Sequence, residues 1–144
     1  MVDQNIPGEF QASIEVFYFA YRAFTSSPDR ILDNRGLGRV HHRILYFVGR
    51  NPSIAVNELL STLKVSKQAL NAPLRQLIEM NLVSVAVASH DRRVKQLSLT
   101  KEGTQLEAQL TATQVRHLAE AFAKAGKEAA DGWLKVMQEI ADKP

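Results

Sequence analysis

The chain has 144 residues, a formal net charge of +3 at pH 7 and no cysteine, and no apolar run approaches the roughly 18 to 20 residues of a membrane-crossing helix. That length suits one domain with a sizeable core, and the missing cysteines exclude disulfides, Cys-based zinc sites and thiol-based peroxide sensing. The N-terminus lacks a basic-then-apolar signal, so the composition points to a soluble, cytoplasmic protein with no membrane partner.

Met1 to Pro7 reads as a frayed terminus. Phe10, Ile14, Phe17, Tyr21 and Phe24 then recur at four- and three-residue steps, giving one helix a long aromatic stripe. A stripe of this kind needs a covering surface, and either a dimer interface or a ligand cavity would supply one. Ser26-Ser27-Pro28-Asp29 is expected to end the helix, because proline restricts the residue before it. A loop through Gly36 and Gly38 leads to a second helix, Arg39 to Gly49, with Val40, Ile44, Phe47 and Val48 facing inward. His41 and His42 suggest a metal site, but helical neighbours point about 100° apart and have no helical partner ligand here. They read better as pocket-lining or half-buried histidines. Asn51-Pro52-Ser53 is a turn, and Ile54 can form a short extra strand.

Val56, Leu59, Leu60 and Leu63 form one apolar stripe on a short helix. Lys64-Val65 interrupts it, and Ser66 can cap a second helix on which Leu70, Leu74, Leu77 and Ile78 face inward. Lys67, Gln68, Asn71, Ala72 and Arg75 occupy the opposite face. Two short helices joined by a tight turn make a helix-turn-helix, whose second helix can enter a DNA major groove. Gln and Asn there can pair with adenine and Arg with guanine, because their donor and acceptor spacing matches those base edges. Pro73 lies inside this helix, lacks an N–H and should clash with the carbonyl of Ala69, which predicts a kink or a loosened first half.

Asn81 suits the left-handed residue that ends a helix. The period then changes to two. Val83, Val85 and Val87 alternate with Ser84, Ala86 and Ala88, and Leu97 and Leu99 with Gln96 and Ser98, so two strands form a hairpin. Its tip is Ser89-His90-Asp91-Arg92-Arg93, followed by Val94-Lys95. A basic hairpin beside a helix-turn-helix is a wing, able to place an Arg in a minor groove or to grip phosphates. Thr100 caps a long helix to about Lys124, with Leu106, Leu110, Leu118 and Phe122 as its stripe. Ala125-Gly126 breaks it before a last helix from Lys127, apolar at Trp133, Val136, Met137 and Ile140 and weakened by Gly132. Positive charge concentrates on the head: Lys64 to Lys101 holds seven Lys or Arg against two acids, net +5, whereas Glu102 to Pro144 is net −2.

The run VSKQALNAPLRQLIEMNLV, the DRR hairpin and LSLTKEG opening a long helix together resemble the MarR family of bacterial transcription regulators. The resemblance covers almost the whole chain. It implies a mainly α (α+β) fold: a winged helix-turn-helix core over residues 39–100, with helices 8–27 and 101–142 forming a dimerisation lobe. It also implies a homodimer on a pseudo-palindromic operator of double-stranded DNA, acting as a repressor and released by a small aromatic or phenolic effector. The wing motif is Asp, any residue, Arg, so Arg93 matches the minor-groove arginine and Asp91 the carboxylate that orients it. DNA contacts are expected at Ser66, Lys67, Gln68, Asn71, Arg75, Asp91, Arg92, Arg93 and Lys95. Tyr18, Tyr21, Arg22, His41 and His42 are expected around an effector pocket. Four positions depart from the pattern: Ala55 replaces a Ser or Thr cap, Lys64 and Asn81 stand where Gly is common, and Pro73 interrupts the recognition helix. Pro73 and the missing cap at position 55 motivate an alternative, a winged-helix protein-interaction module without specific DNA reading. With no phosphate-cradling Gly loop, nucleophile elbow or metal-ligand spacing, neither catalysis nor a cofactor is expected.

Overall fold

A computed structural model describes residues 7–142, so most of the expected frayed terminus lies outside the described residues. The first helix, α1 (Gly8–Asp33), does not stop at Ser26-Ser27-Pro28-Asp29 but continues through Pro28. An interior proline costs about 3 kcal/mol or more. Pro28 and Leu32 are fully buried, and a buried large side chain returns roughly 1.5–3 kcal/mol, so core packing of the last turn outweighs the local preference. The helix ends instead at Asp33, and Gly36 in the following turn, at φ +71°, lets the Leu37 N–H donate back to the Leu32 carbonyl at 3.0 Å.

The second helix, α2 (Arg39–Arg50), buries Ile44, Leu45 and Val48 and half-buries Val40 and Phe47. Strand β1 (Ile54–Ala55) is the expected extra strand, and α3 (Val56–Leu63) follows it directly. Ala55 offers no capping oxygen, yet Glu58 Oε1 accepts its N–H at 3.2 Å and supplies half of a capping box. Lys64 ends α3 in the left-handed region at φ +57°, a strained position for a residue with a Cβ.

Ser66 Oγ accepts the Ala69 N–H at 3.1 Å and starts α4 (Lys67–Glu79), which buries Leu70, Leu74 and Leu77. The first half of α4 is not loosened: the helix runs unbroken across Pro73, held by the Ser66 cap and the buried Leu70. Asn81, at φ +59°, turns the chain into the hairpin of β2 (Val83–Ala88) and β3 (Asp91–Leu99). The antiparallel sheet has the order β1-β3-β2, with Ile54 opposite Leu97 and Val83 opposite Leu99. Only the base of the hairpin joins the core. Val83 and Leu97 are buried, whereas Val85 and Val87 are exposed because the hairpin reaches past the helices that would cover them.

Helix α5 (Lys101–Ala125) starts at Thr100, whose Oγ1 accepts the Gly103 N–H at 2.9 Å and donates to the Asn81 carbonyl at 2.7 Å. Its first half packs Leu106 and Leu110 into the core, and its second half runs alongside α1, where Phe24 stacks on His117. Gly126 (φ +97°) turns the chain into α6 (Lys127–Ala141), and Trp133 tilts against Phe122 at 5.5 Å. Phe10, Ile14, Phe17, Trp133, Val136 and Ile140 remain exposed on the terminal helices.

Candidate nucleic-acid interface

The hydrophobic spacing of α4 buries one side and leaves Lys67, Gln68, Asn71, Ala72 and Arg75 open to solvent, as the sequence predicts. Ser66 is also exposed, but its hydroxyl oxygen is engaged at the helix start, so its first role is capping. Beside this face the wing closes in a tighter turn than expected. Strand β3 already begins at Asp91, so Ser89-His90 alone forms the turn.

The register explains how the wing presents its charges. Val87 pairs with Lys95, but the next residue, Ala88, pairs with Asp91, so Arg92, Arg93 and Val94 form a bulge in β3. Asp91 holds that bulge in shape. Its Oδ1 accepts the Arg93 backbone N–H at 2.9 Å and Nε–H at 3.1 Å, and its Oδ2 accepts Nη2–H at 3.0 Å. The Arg93 side chain is 91% exposed, while that of Asp91 is 28% exposed. Hydrogen bonds from the Arg93 side chain and backbone hold the Asp91 carboxyl below its ordinary range. A guanidinium is thus pointed outward with two of its nitrogens tied down and the rest of its edge free. Arg92 and Lys95 are exposed on the same hairpin.

The five residues expected around an effector pocket do not close on one cavity. Tyr18 and Tyr21 line an apolar groove with Phe10, Ile14, Phe17 and Ile140. Arg22 lies over the Tyr18 ring at 5.9 Å. Tyr21 Oη accepts a hydrogen bond from Arg43 at 3.3 Å, and Arg39, paired with Asp29 at 2.9 Å, lies over the Tyr21 ring. His42 is half-buried, and burial lowers its pKa, partly opposed by the charge of Glu107. His41 turns away from the groove. It is buried and bonded to Gly38 and to Gln76 of α4. Among the described residues no group of three His, Cys, Asp or Glu side chains could hold a metal ion, and no helix is long and apolar enough to cross a membrane.

One cluster escaped the sequence reading. Glu107 is buried at 5% exposure between α2 and α5, where its carboxylate accepts from Arg50 at 2.7 and 3.3 Å and from the Thr111 hydroxyl. Arg50 also stacks over Tyr46 at 4.4 Å. The clue was positional: Glu107 follows Gly103 by four residues and precedes Leu110 by three, which puts it on the buried stripe of α5.

A sequence model of the MarR family matches residues 35–94. The HTH-type transcriptional regulator PetP of Rhodobacter capsulatus is 39% identical over 152 aligned positions, which cover 99% of this chain and 92% of PetP. The chain belongs to the MarR family. Its fold matches a Staphylococcus aureus MepR–DNA complex with a TM-score of 0.74 at 14% identity, covering 95% of this chain and 98% of MepR. It matches NadR in complex with 4-hydroxyphenylacetate with the same TM-score at 19% identity, covering 100% and 99% of the two chains. The protein is therefore a MarR-family transcriptional regulator with a winged-helix DNA-binding fold, and not an enzyme. The match to the family spans α2, the helix-turn-helix and the wing tip, the segment in which Asp91 and Arg93 meet.

Proposed function

We propose that the protein acts as a homodimeric repressor on a pseudo-palindromic operator, with α4 in the major groove and Arg93 in the flanking minor groove. The observation that carries this reading is the Asp91–Arg93 clamp on an exposed bulge, beside the open polar face of α4. Gln68 and Asn71 suit adenine edges and Arg75 guanine, while Lys67, Arg92 and Lys95 suit phosphates. The exposed apolar side chains of α1 and α6 support dimerisation through the terminal helices, over residues 8–27 and 101–142. A two-fold axis there would set half-sites about one helical turn, roughly 34 Å, apart. A bound operator is then closed to the transcription machinery.

Selection of genomic fragments by the purified protein tests the reading. Arg93→Ala should weaken binding to a selected fragment by about 1–3 kcal/mol, and an unchanged affinity and salt slope would exclude the wing from the interface. An interaction module that no longer reads DNA would instead retain fragments weakly, without sequence preference, and lose them at moderate salt.

Release by a small aromatic or phenolic acid is a second part of the proposal. It is supported by the groove at Phe17, Tyr18 and Tyr21, which offers ring faces beside the cations Arg22, Arg39 and Arg43. A thermal-shift panel of such acids should raise the melting temperature for some members. A flat response across the panel counts against an effector.

A further inference from the structure

His41 occupies the third position of α2, where a capping box usually carries Glu or Gln reaching back to the first backbone N–H. Its Nδ1 performs that task, accepting the Gly38 N–H at 2.9 Å. A ring nitrogen that accepts leaves the other protonated, so Nε2–H donates to Gln76 Oε1 at 2.9 Å. The Gln76 amide then donates from its Nε2 to the Gly36 carbonyl at 3.4 Å. A glutamate at position 41 would complete the cap and stop there, having no proton to donate. Histidine completes the cap and extends it to the neighbouring helix.

That neighbour is the recognition helix. Leu70, Leu74 and Leu77 set how deeply α4 sits in the core, but apolar contact is non-directional and tolerates rotation about the helix axis. Among the described residues, Gln76 makes the side-chain hydrogen bonds that join α4 to another element. It directly follows Arg75 and lies about one turn past Asn71 and Ala72. A directional bond at Gln76 therefore fixes the angle at which these side chains meet the base edges.

We infer that the His41–Gln76 bridge is a specificity-determining positioning pair, which locks the rotation of α4 and thereby selects which base pairs Asn71 and Arg75 can reach. The inference rests on the DNA-reading function proposed above. In the docking proposed above, Asn71 and Arg75 meet the bases and the pair acts through them. Loss of the bridge should blur sequence preference while leaving phosphate attraction intact.

The test compares the affinity for a fragment selected by the wild-type protein with that for a scrambled fragment of the same length. Gln76→Met keeps side-chain length and removes the acceptor. His41→Met removes both ring nitrogens, and with them the bond to Gln76 and the cap on Gly38. Each should reduce the selected-to-scrambled ratio by roughly tenfold, with affinity for scrambled DNA and its salt slope unchanged. The double variant should lose no more than either single one, because both remove the same bond. Gln76→Glu, whose carboxylate still accepts from Nε2–H, should keep the ratio near wild type. An undiminished ratio in Gln76→Met or in His41→Met, or additive losses in the double variant, would overturn the inference. Each single variant carries the test alone if the other fails to fold. If the wild-type protein itself selects no fragment, DNA reading falls first, and the pair with it.

Discussion

Gly103 sits at the start of α5, where that helix crosses the backbone of Leu82. A methyl group added there would lie 1.9 Å from the Leu82 carbonyl oxygen, whereas carbon and oxygen in non-bonded contact stay about 3.3 Å apart, so something must move by roughly 1.4 Å. Neither side is free to yield. The Leu82 carbonyl accepts the Thr100 N–H at 3.1 Å, Leu82 N–H donates to the Leu77 carbonyl at 2.9 Å, and Thr100 Oγ1 donates to the Asn81 carbonyl at 2.7 Å. Displacing α5 stretches these bonds and lifts Leu106 from the core. Gly103→Ala should therefore cost about 3 kcal/mol, the upper end for an overpacked site, and lower the melting temperature by roughly 10 °C. Calorimetry on the purified variant reads that shift directly. A fall of less than about 3 °C would show that the α5–Leu82 crossing relaxes easily, and would refute the view that it fixes the base of the wing.

Asp91→Asn removes the charge that holds Arg93 and should weaken binding to a selected fragment severalfold, while the melting temperature stays within about 2 °C, as expected for an exposed site. The clamp also has a pH signature. The Asp91 carboxyl lies below its ordinary range, so the contribution is present above the unfolded-state value and is lost only as pH falls through the lowered folded value; Arg93 Nε–H in NMR spectra should stay ordered until that point. His42 behaves differently. Burial lowers its pKa from 6.5, so the unfolded chain takes up its proton first and stability falls as pH drops below about 6.5; His42→Gln should flatten the melting-temperature profile between about pH 7.5 and 5.5. Lys64→Gly relieves a left-handed backbone at φ +57° worth about 1–2 kcal/mol but adds unfolded-chain freedom, so urea melts should show a net gain of roughly 0.5 kcal/mol.

The reading head was legible because its signals are local. The leucine spacing of α3 and α4, the Ser66 cap and the Thr100 cap each require only a few neighbouring residues, and each formed as expected. The proline at position 28 misled because its local penalty is visible in sequence, whereas the burial of Leu32 that outweighs it depends on distant helices. Pro73 misled in the same way, since the Ser66 cap and Leu70 keep the first half of α4 in place. Alternation placed Val83, Val85 and Val87 on one side of the hairpin, and of these only Val83 is buried, because alternation records which side each residue takes and not whether anything covers it. The position of Glu107 on the buried stripe of α5 was visible in sequence, but the partners of the side-chain links between helices were not, because they lie far along the chain. Arg50 meets Glu107 across 57 positions and His41 meets Gln76 across 35.

Helix α5 begins at the foot of the wing and continues without interruption beside α1 to Phe122, which packs on Trp133 of α6. Its 25 residues span about 37 Å. Over that lever arm, a tilt of 5° at the far end displaces the near end by about 3 Å, comparable to the rise between stacked base pairs. A small disturbance among the terminal aromatics would therefore arrive at the hairpin magnified, large enough to carry Arg93 out of step with the duplex.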